Sequence, residues 1–121
     1  WTIIVSVICF GVAGVIRFKQ AKQFSNRTLV GISELQAQAD EDDLVTEGIY
    51  ARVRHPRYIE LVIAFFAYAF FANYLALYIV AVLSIVWVVL LVPVEERELL
   101  NRFGGAYQRY CERTPRFLPR R

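Results

Sequence analysis

The stretch Leu44-Val-Thr-Glu-Gly-Ile-Tyr-Ala-Arg-Val-Arg-His-Pro-Arg-Tyr58 decides how the chain is read. It ends where a long apolar run begins, and it holds the single histidine, His55. A turn at Gly48, a basic trio of Arg52, Arg54 and Arg57, Pro56 after the histidine, and the aromatics Tyr50 and Tyr58 all fall within it. Polar groups of such variety at the mouth of a membrane segment are costly unless they bind something. The plainer alternative is a juxtamembrane anchor, with arginines on lipid headgroups and tyrosines at the interface.

Composition narrows the class. The 121 residues suffice for one domain and not two. Apolar residues make up 57% and the mean hydropathy is +0.40, high for a soluble protein. The excess sits in long runs, which points to a membrane. The net charge of +3 is modest. No basic stripe with interleaved aromatics runs along one face, so nucleic acid is not expected as a partner. Cys9 lies in an apolar run and Cys111 in a charged tail, with no metal-ligand spacing, so neither a disulfide nor a metal site is expected. Asp40-Glu-Asp-Asp43 reads as a solvated loop, because acidic neighbours in sequence rarely converge on one ion. Trp1 opens directly into apolar sequence, as in a piece of a longer protein or one lacking N-terminal helices.

The runs define an all-α integral membrane protein with about three transmembrane helices. Residues 1–16 form a short span, and Gly11, Ala13 and Gly14 would let another helix approach closely. Residues 17–57 form a polar segment, in which Leu29 to Leu35 is a candidate short interfacial helix. Residues 58–92 form a tight hairpin (its helices over 59–92) turning at Asn73, and residues 93–121 form an exposed helix and a basic tail. All 14 Lys and Arg lie in 17–57 or 97–121. With three spans both basic segments fall on one side, which the positive-inside rule makes the cytoplasm.

Local signals refine this outline. Pro56 fits the first turn of the second helix, where its missing N–H costs nothing. Glu60 then sits near the positive end of that helix. Pro93 frees the carbonyl of Val89 and predicts a kink, after which Glu95 can turn inward. Glu98 and Arg102 form an i,i+4 pair, and Gly104 is a C-cap. Arg113, Arg116, Arg120 and Arg121 can lie on anionic headgroups. Two polar clusters therefore converge at the membrane surface: Tyr50, His55 and Tyr58 from one segment, Glu95 and Glu96 from the other. Solvated glutamates at a helix start, and a histidine that only bonds the helix entrance, are the bland alternatives.

Four motifs in order carry a resemblance: Leu-Val-Thr-x-Gly-x-Tyr, Arg-His-Pro-x-Tyr, Glu-Glu-x-x-Leu after an apolar hairpin, and Phe-Gly-x-x-Tyr. Over Leu44 to about Pro119 the chain resembles the isoprenylcysteine carboxyl methyltransferases, relatives of the phospholipid methyltransferases. The resemblance implies a multi-pass membrane enzyme that transfers a methyl group from S-adenosylmethionine. Its cofactor pocket would face the cytoplasm, and its acceptor would be a lipid or a prenylated small molecule. By motif position the cofactor contacts fall on Leu44, Val45, Tyr50, His55, Pro56, Arg57, Tyr58 and Glu95, with Arg57 acting through its backbone. No G-x-G-x-x-G is present, so a Rossmann-type site is not expected. A related membrane reductase using NADPH, and a non-enzymatic helical scaffold, are the rival readings.

Two departures bear on substrate. Glu60 stands where the motif often has Gly, and it is read as a helix cap or as a partner for a polar group of the acceptor. Leu91 stands where the prenylcysteine enzymes have an Arg, one turn before Glu95 and on the same face. Leucine cannot pair with an acceptor carboxylate, so poor activity on prenylcysteine acids is expected, and Leu91→Arg should shift preference toward them. Arg54 and Arg97 are the nearest alternative holders of such a carboxylate. A carboxylate nucleophile needs no base, whereas an amine or alcohol must lose a proton, which His55, Glu60 or Glu96 can accept.

The charge distribution makes one direct prediction. A cysteine replacing Asn73, in a background lacking Cys9 and Cys111, should react with an impermeant thiol reagent in intact cells. Labelling only after permeabilisation would reverse the orientation.

Overall fold

The computed structural model describes residues 1–28 and 44–118. The acidic run at Asp40, the candidate helix over 29–35 and the last two arginines lie outside them. Among the described residues all the regular structure is helical: α1 (Thr2–Thr28), a 3-10 turn (Gly48–Ala51), α2 (Pro56–Ala72), α3 (Leu75–Phe103) and α4 (Gly105–Arg113).

Two helices are long and apolar enough to cross a bilayer, Thr2–Lys22 within α1 and Leu75–Phe103. The first runs well past the expected end at Ile16, because nothing in Arg17 to Lys22 breaks a helix. At 17 residues, α2 spans about 26 Å at 1.5 Å per residue, slightly less than a hydrocarbon core. With 29 residues, α3 spans about 44 Å, so one end must project beyond the core. It passes through Pro93 without ending there. Its outer face exposes Val82, Leu83, Val86, Trp87 and Leu90, and that of α1 exposes Ile3, Ile4, Val7 and Ile8. Apolar residues facing outward over this length suit a lipid surrounding.

The hairpin turns on Asn73, whose φ of 48° and ψ of 45° are left-handed. Asparagine tolerates this conformation better than most residues. Its N–H closes α2 onto the Ala69 carbonyl at 2.9 Å, and its side chain accepts a hydrogen bond from the Tyr78 hydroxyl at 3.2 Å. At the other end of α2, Pro56 occupies the first turn, as its fixed φ favours.

Against α2, α1 packs antiparallel. Ser6 donates to the Ala67 carbonyl at 2.8 Å, near one end of the contact. At the other, Glu60 meets Gln20 at 3.5 Å and Arg17 at 3.7 Å. Thus Glu60 does not cap α2; it ties α2 to α1. Ser6, Ala13, Ala67, Ala69 and Ala81 are all buried. Small side chains let backbones approach where no hydrophobic force favours helix contact over lipid contact. Of the three small residues expected at this interface only Ala13 belongs to it. Gly11 and Gly14 face open space, because 3.6-residue periodicity puts them on other faces.

After α3 the chain reverses at Gly104, where a φ of 54° suits glycine and the N–H caps Leu100 at 2.8 Å. Tyr107 and Tyr110 of α4 are buried. Residues 114–118 then lie beside the loop before α2: the N–H groups of Arg54 and His55 donate to the carbonyls of Pro115 and Arg116 at 2.9 and 3.2 Å. The Tyr110 hydroxyl donates to the Tyr50 carbonyl at 2.7 Å.

The α1–α2 contact yields a test. Ser6 is fully buried, so Ser6→Leu should destabilise the protein by about 1–3 kcal/mol through overpacking. Ser6→Ala should cost about 1 kcal/mol or less. Thermal unfolding in detergent measures both, and equal stability of the leucine variant would show that α1 is not held against α2 in this way.

Candidate active site

The sites of chemistry gather where the loop 52–55, the lower end of α3 and the segment 114–118 meet. Their centre is the Glu96 carboxylate. Oε1 receives Arg54 at 3.0 Å, His55 Nε2 at 3.2 Å and Arg116 Nε at 3.1 Å. Oε2 receives a second bond from Arg116 at 2.7 Å. The Arg116 guanidinium thus grips the carboxylate with both arms, the strongest form such a pair takes. Arg54 also reaches Cys111 Sγ at 2.6 Å, binding α4 to the same cluster.

Burial raises the Glu96 pKa, but the hydrogen bonds from Arg116 and His55 and the charges of Arg54 and Arg116 outweigh it. Its pKa therefore lies below the ordinary value of 4.5. A carboxylate so held is a poor proton acceptor, and the geometry suits it to fixing its neighbours.

Glu95, one residue earlier and about 100° around the helix, looks elsewhere. Its Oε2 lies 3.8 Å from His55 Nδ1, beyond hydrogen-bond length. That oxygen is buried with no hydrogen-bond partner. The Tyr58 side chain also reaches this carboxylate, and Tyr50 lies within the electrostatic reach of both Glu95 and Arg57. Burial, more than the opposing charge of Arg57, pushes the Tyr50 pKa up, so its hydroxyl stays protonated at neutral pH. The His55 ring packs against Tyr58 at 5.9 Å and Phe117 at 6.2 Å between centroids.

Tyr50, His55, Tyr58, Glu95 and Glu96 therefore come together, and Pro56 is buried at their edge. Arg57 is exposed and Val45 half-buried. With Thr46, Ala51, Arg109 and Tyr110, Leu44 lines a separate open cleft of about 450 Å3 against α4. On α3, Leu91 is half-buried one turn before Glu95. Glu60 is engaged with α1, and Arg54 with Glu96 and Cys111. Beside His55 a second groove of about 270 Å3 runs between α2 and α3, lined by Tyr58, Val62, Ile63, Val88, Val89 and Phe117 among others.

Sequence reasoning placed Arg116 on lipid headgroups; the fold turns it inward onto Glu96. It also passed over Cys111 and Phe117. The signal available was Pro115, which interrupts the basic tail immediately before the two residues that dock.

A family model for phospholipid methyltransferases matches residues 1–106. No curated protein and no solved structure matches the chain. The match covers most of the chain, which belongs to the phospholipid methyltransferase family and is accordingly a membrane methyltransferase.

Lowering the pH tests the Glu96 cluster. Its folded pKa is depressed, so as pH falls the unfolded chain takes up the proton first. The stability is complete above the unfolded value and is lost as pH falls through the folded one. Melting temperature should decline as the pH falls below the ordinary glutamate value of 4.5 in the parent protein, and less steeply in Glu96→Gln. Identical slopes would mean that Glu96 is not held as described.

Proposed function

We propose that the protein transfers a methyl group from S-adenosylmethionine to a lipid acceptor at the cytoplasmic face of the membrane. The observation that carries this reading is the half-exposed Glu95 carboxylate, which meets Tyr58 and His55 but leaves its buried Oε2 without a hydrogen-bond partner. A buried carboxylate oxygen without a donor is costly, and a ligand with hydroxyl or ammonium groups relieves that cost. S-adenosylmethionine carries both, and it supplies a methyl group activated on a sulfonium.

Each residue has a role in this reading. Glu95 accepts hydrogen bonds from the donor's ribose or ammonium group. Tyr50 and Tyr58 offer ring faces to the adenine or to the positive sulfur, the latter worth about 1 kcal/mol. Leu44, Val45, Pro56 and the Arg57 backbone complete the donor's surroundings. The apolar groove beside His55 holds the acceptor's chain and excludes water.

Leu91 favours an acceptor without a carboxylate, such as a lipid amine or alcohol. Such a nucleophile must lose a proton. Glu60 is tied to α1 and Glu96 to its cations, whereas His55 Nδ1 makes no bond shorter than 3.8 Å to Glu95. His55 therefore takes the proton through Nδ1, and Glu95 stabilises the ring as it becomes charged. Positive-inside placement of the basic segments supports the cytoplasmic orientation, with the hairpin turn outside.

Titration calorimetry of the purified protein with S-adenosylhomocysteine and with NADPH tests the reading. S-adenosylhomocysteine should bind and NADPH should not. Glu95→Gln should weaken binding by about 1–3 kcal/mol, the range for a hydrogen bond to a charged group. Binding of NADPH alone would favour a reductase, and binding of neither would favour a scaffold.

A further inference from the structure

The segment 114–118 is joined to the site by its backbone and by a side chain. Its carbonyls at Pro115 and Arg116 hold the N–H groups of Arg54 and His55. The Arg116 side chain grips both oxygens of Glu96, and Phe117 packs on the His55 ring. An imidazole has two neutral tautomers, and the partner of one nitrogen decides which forms. An ionised carboxylate only accepts hydrogen bonds. With Glu96 beside Nε2 at 3.2 Å, the proton of a neutral ring belongs on Nε2. The lone pair then sits on Nδ1, on the side of Glu95. Arg54 alone does not secure this arrangement, because its NH1 is shared with Cys111. Arg116 supplies the only two-armed contact to Glu96 among the described residues.

We propose that Arg116 is a positioning residue, which holds Glu96 so that His55 keeps its proton on Nε2 and presents Nδ1 as the base. The proposal rests on the reading of His55 as the proton acceptor. Its test is arranged so that either can fail without the other.

His55 is the chain's single histidine. Incorporation of 15N-imidazole histidine therefore gives a nitrogen NMR spectrum of this ring alone, with the full chain in nanodiscs and no cofactor added. At a pH where the ring is neutral, the parent protein should show one tautomer, protonated on Nε2. In Arg116→Gln the two nitrogen signals should move toward each other as the tautomers mix. Arg116→Lys, which restores the charge without the fork, should fall between them. Arg102→Gln, which removes an exposed charge elsewhere, should leave the spectrum unchanged.

In turnover, Arg116→Gln should lower kcat by roughly tenfold or more while KM for S-adenosylmethionine changes little, as expected for a misplaced catalytic group. A parent ring protonated on Nδ1, or an Arg116→Gln spectrum identical to the parent's, would overturn the proposal even if methyl transfer is observed. If the glutamine variant does not fold, the lysine variant decides, and a parent-like spectrum with parent-like kcat counts against the role. If the spectra respond as expected but no methyl transfer occurs, the positioning stands and the reading of His55 as a base falls.

Discussion

One carboxylate holds the functional end of the molecule together. Glu96 draws Arg54 and His55 from the loop before α2 and Arg116 from beyond α4. Its side chain and that of Arg54 are only 11% exposed, so water screens that pair weakly, while Arg116 reaches it from the solvent side. An unpaired carboxylate so placed would be costly, and three donors sharing it remove that cost. Without the cluster, residues 114–118 would lose the Arg116 contacts and keep their backbone bonds to Arg54, His55 and Tyr110 and the Phe117 packing. The consequence is a division of labour between adjacent glutamates: Glu96 is saturated and structural, while Glu95 keeps a buried oxygen unmatched. A helix can make that division between neighbours because each step turns about 100°.

The membrane imposes a second constraint. Between lipid-facing helices there is little hydrophobic gain, so α1 and α2 are joined by small residues and a few polar bonds. The Ser6 bond to Ala67 lies at one end and the Glu60 bonds to Arg17 and Gln20 at the other. Glu60 thereby has a structural task that its place in the motif did not suggest. The same arrangement leaves the groove between α2 and α3 apolar throughout and adjacent to His55.

Much of this was legible in the amino-acid sequence where local chemistry dictates it. Pro56 at a first turn, the reversal at Asn73 and the cap at Gly104 follow from rules acting over a few residues, and the convergence of His55 with the paired glutamates follows from the order of the apolar runs. What was not legible depends on tertiary packing. Pro115 separates Arg116 from Arg113, but which of the two docks is decided by packing: one grips Glu96 and the other lines a cleft. Gly11 and Gly14 looked like an interface by composition, but the rotation of α1 is set by Ser6 and Ala13. The full length of α1 was also missed, because charges that end a membrane span do not end a helix.

The central claim is that this chain moves a methyl group onto a lipid. It is tested most directly by incubating the purified protein, in liposomes containing an amine-headgroup phospholipid, with S-adenosylmethionine labelled in its methyl group. The account predicts label in the organic extract, growing with time and abolished by excess S-adenosylhomocysteine. Label that stays wholly aqueous, from protein that binds S-adenosylhomocysteine and across liposomes of extracted membrane lipids as well, would contradict it.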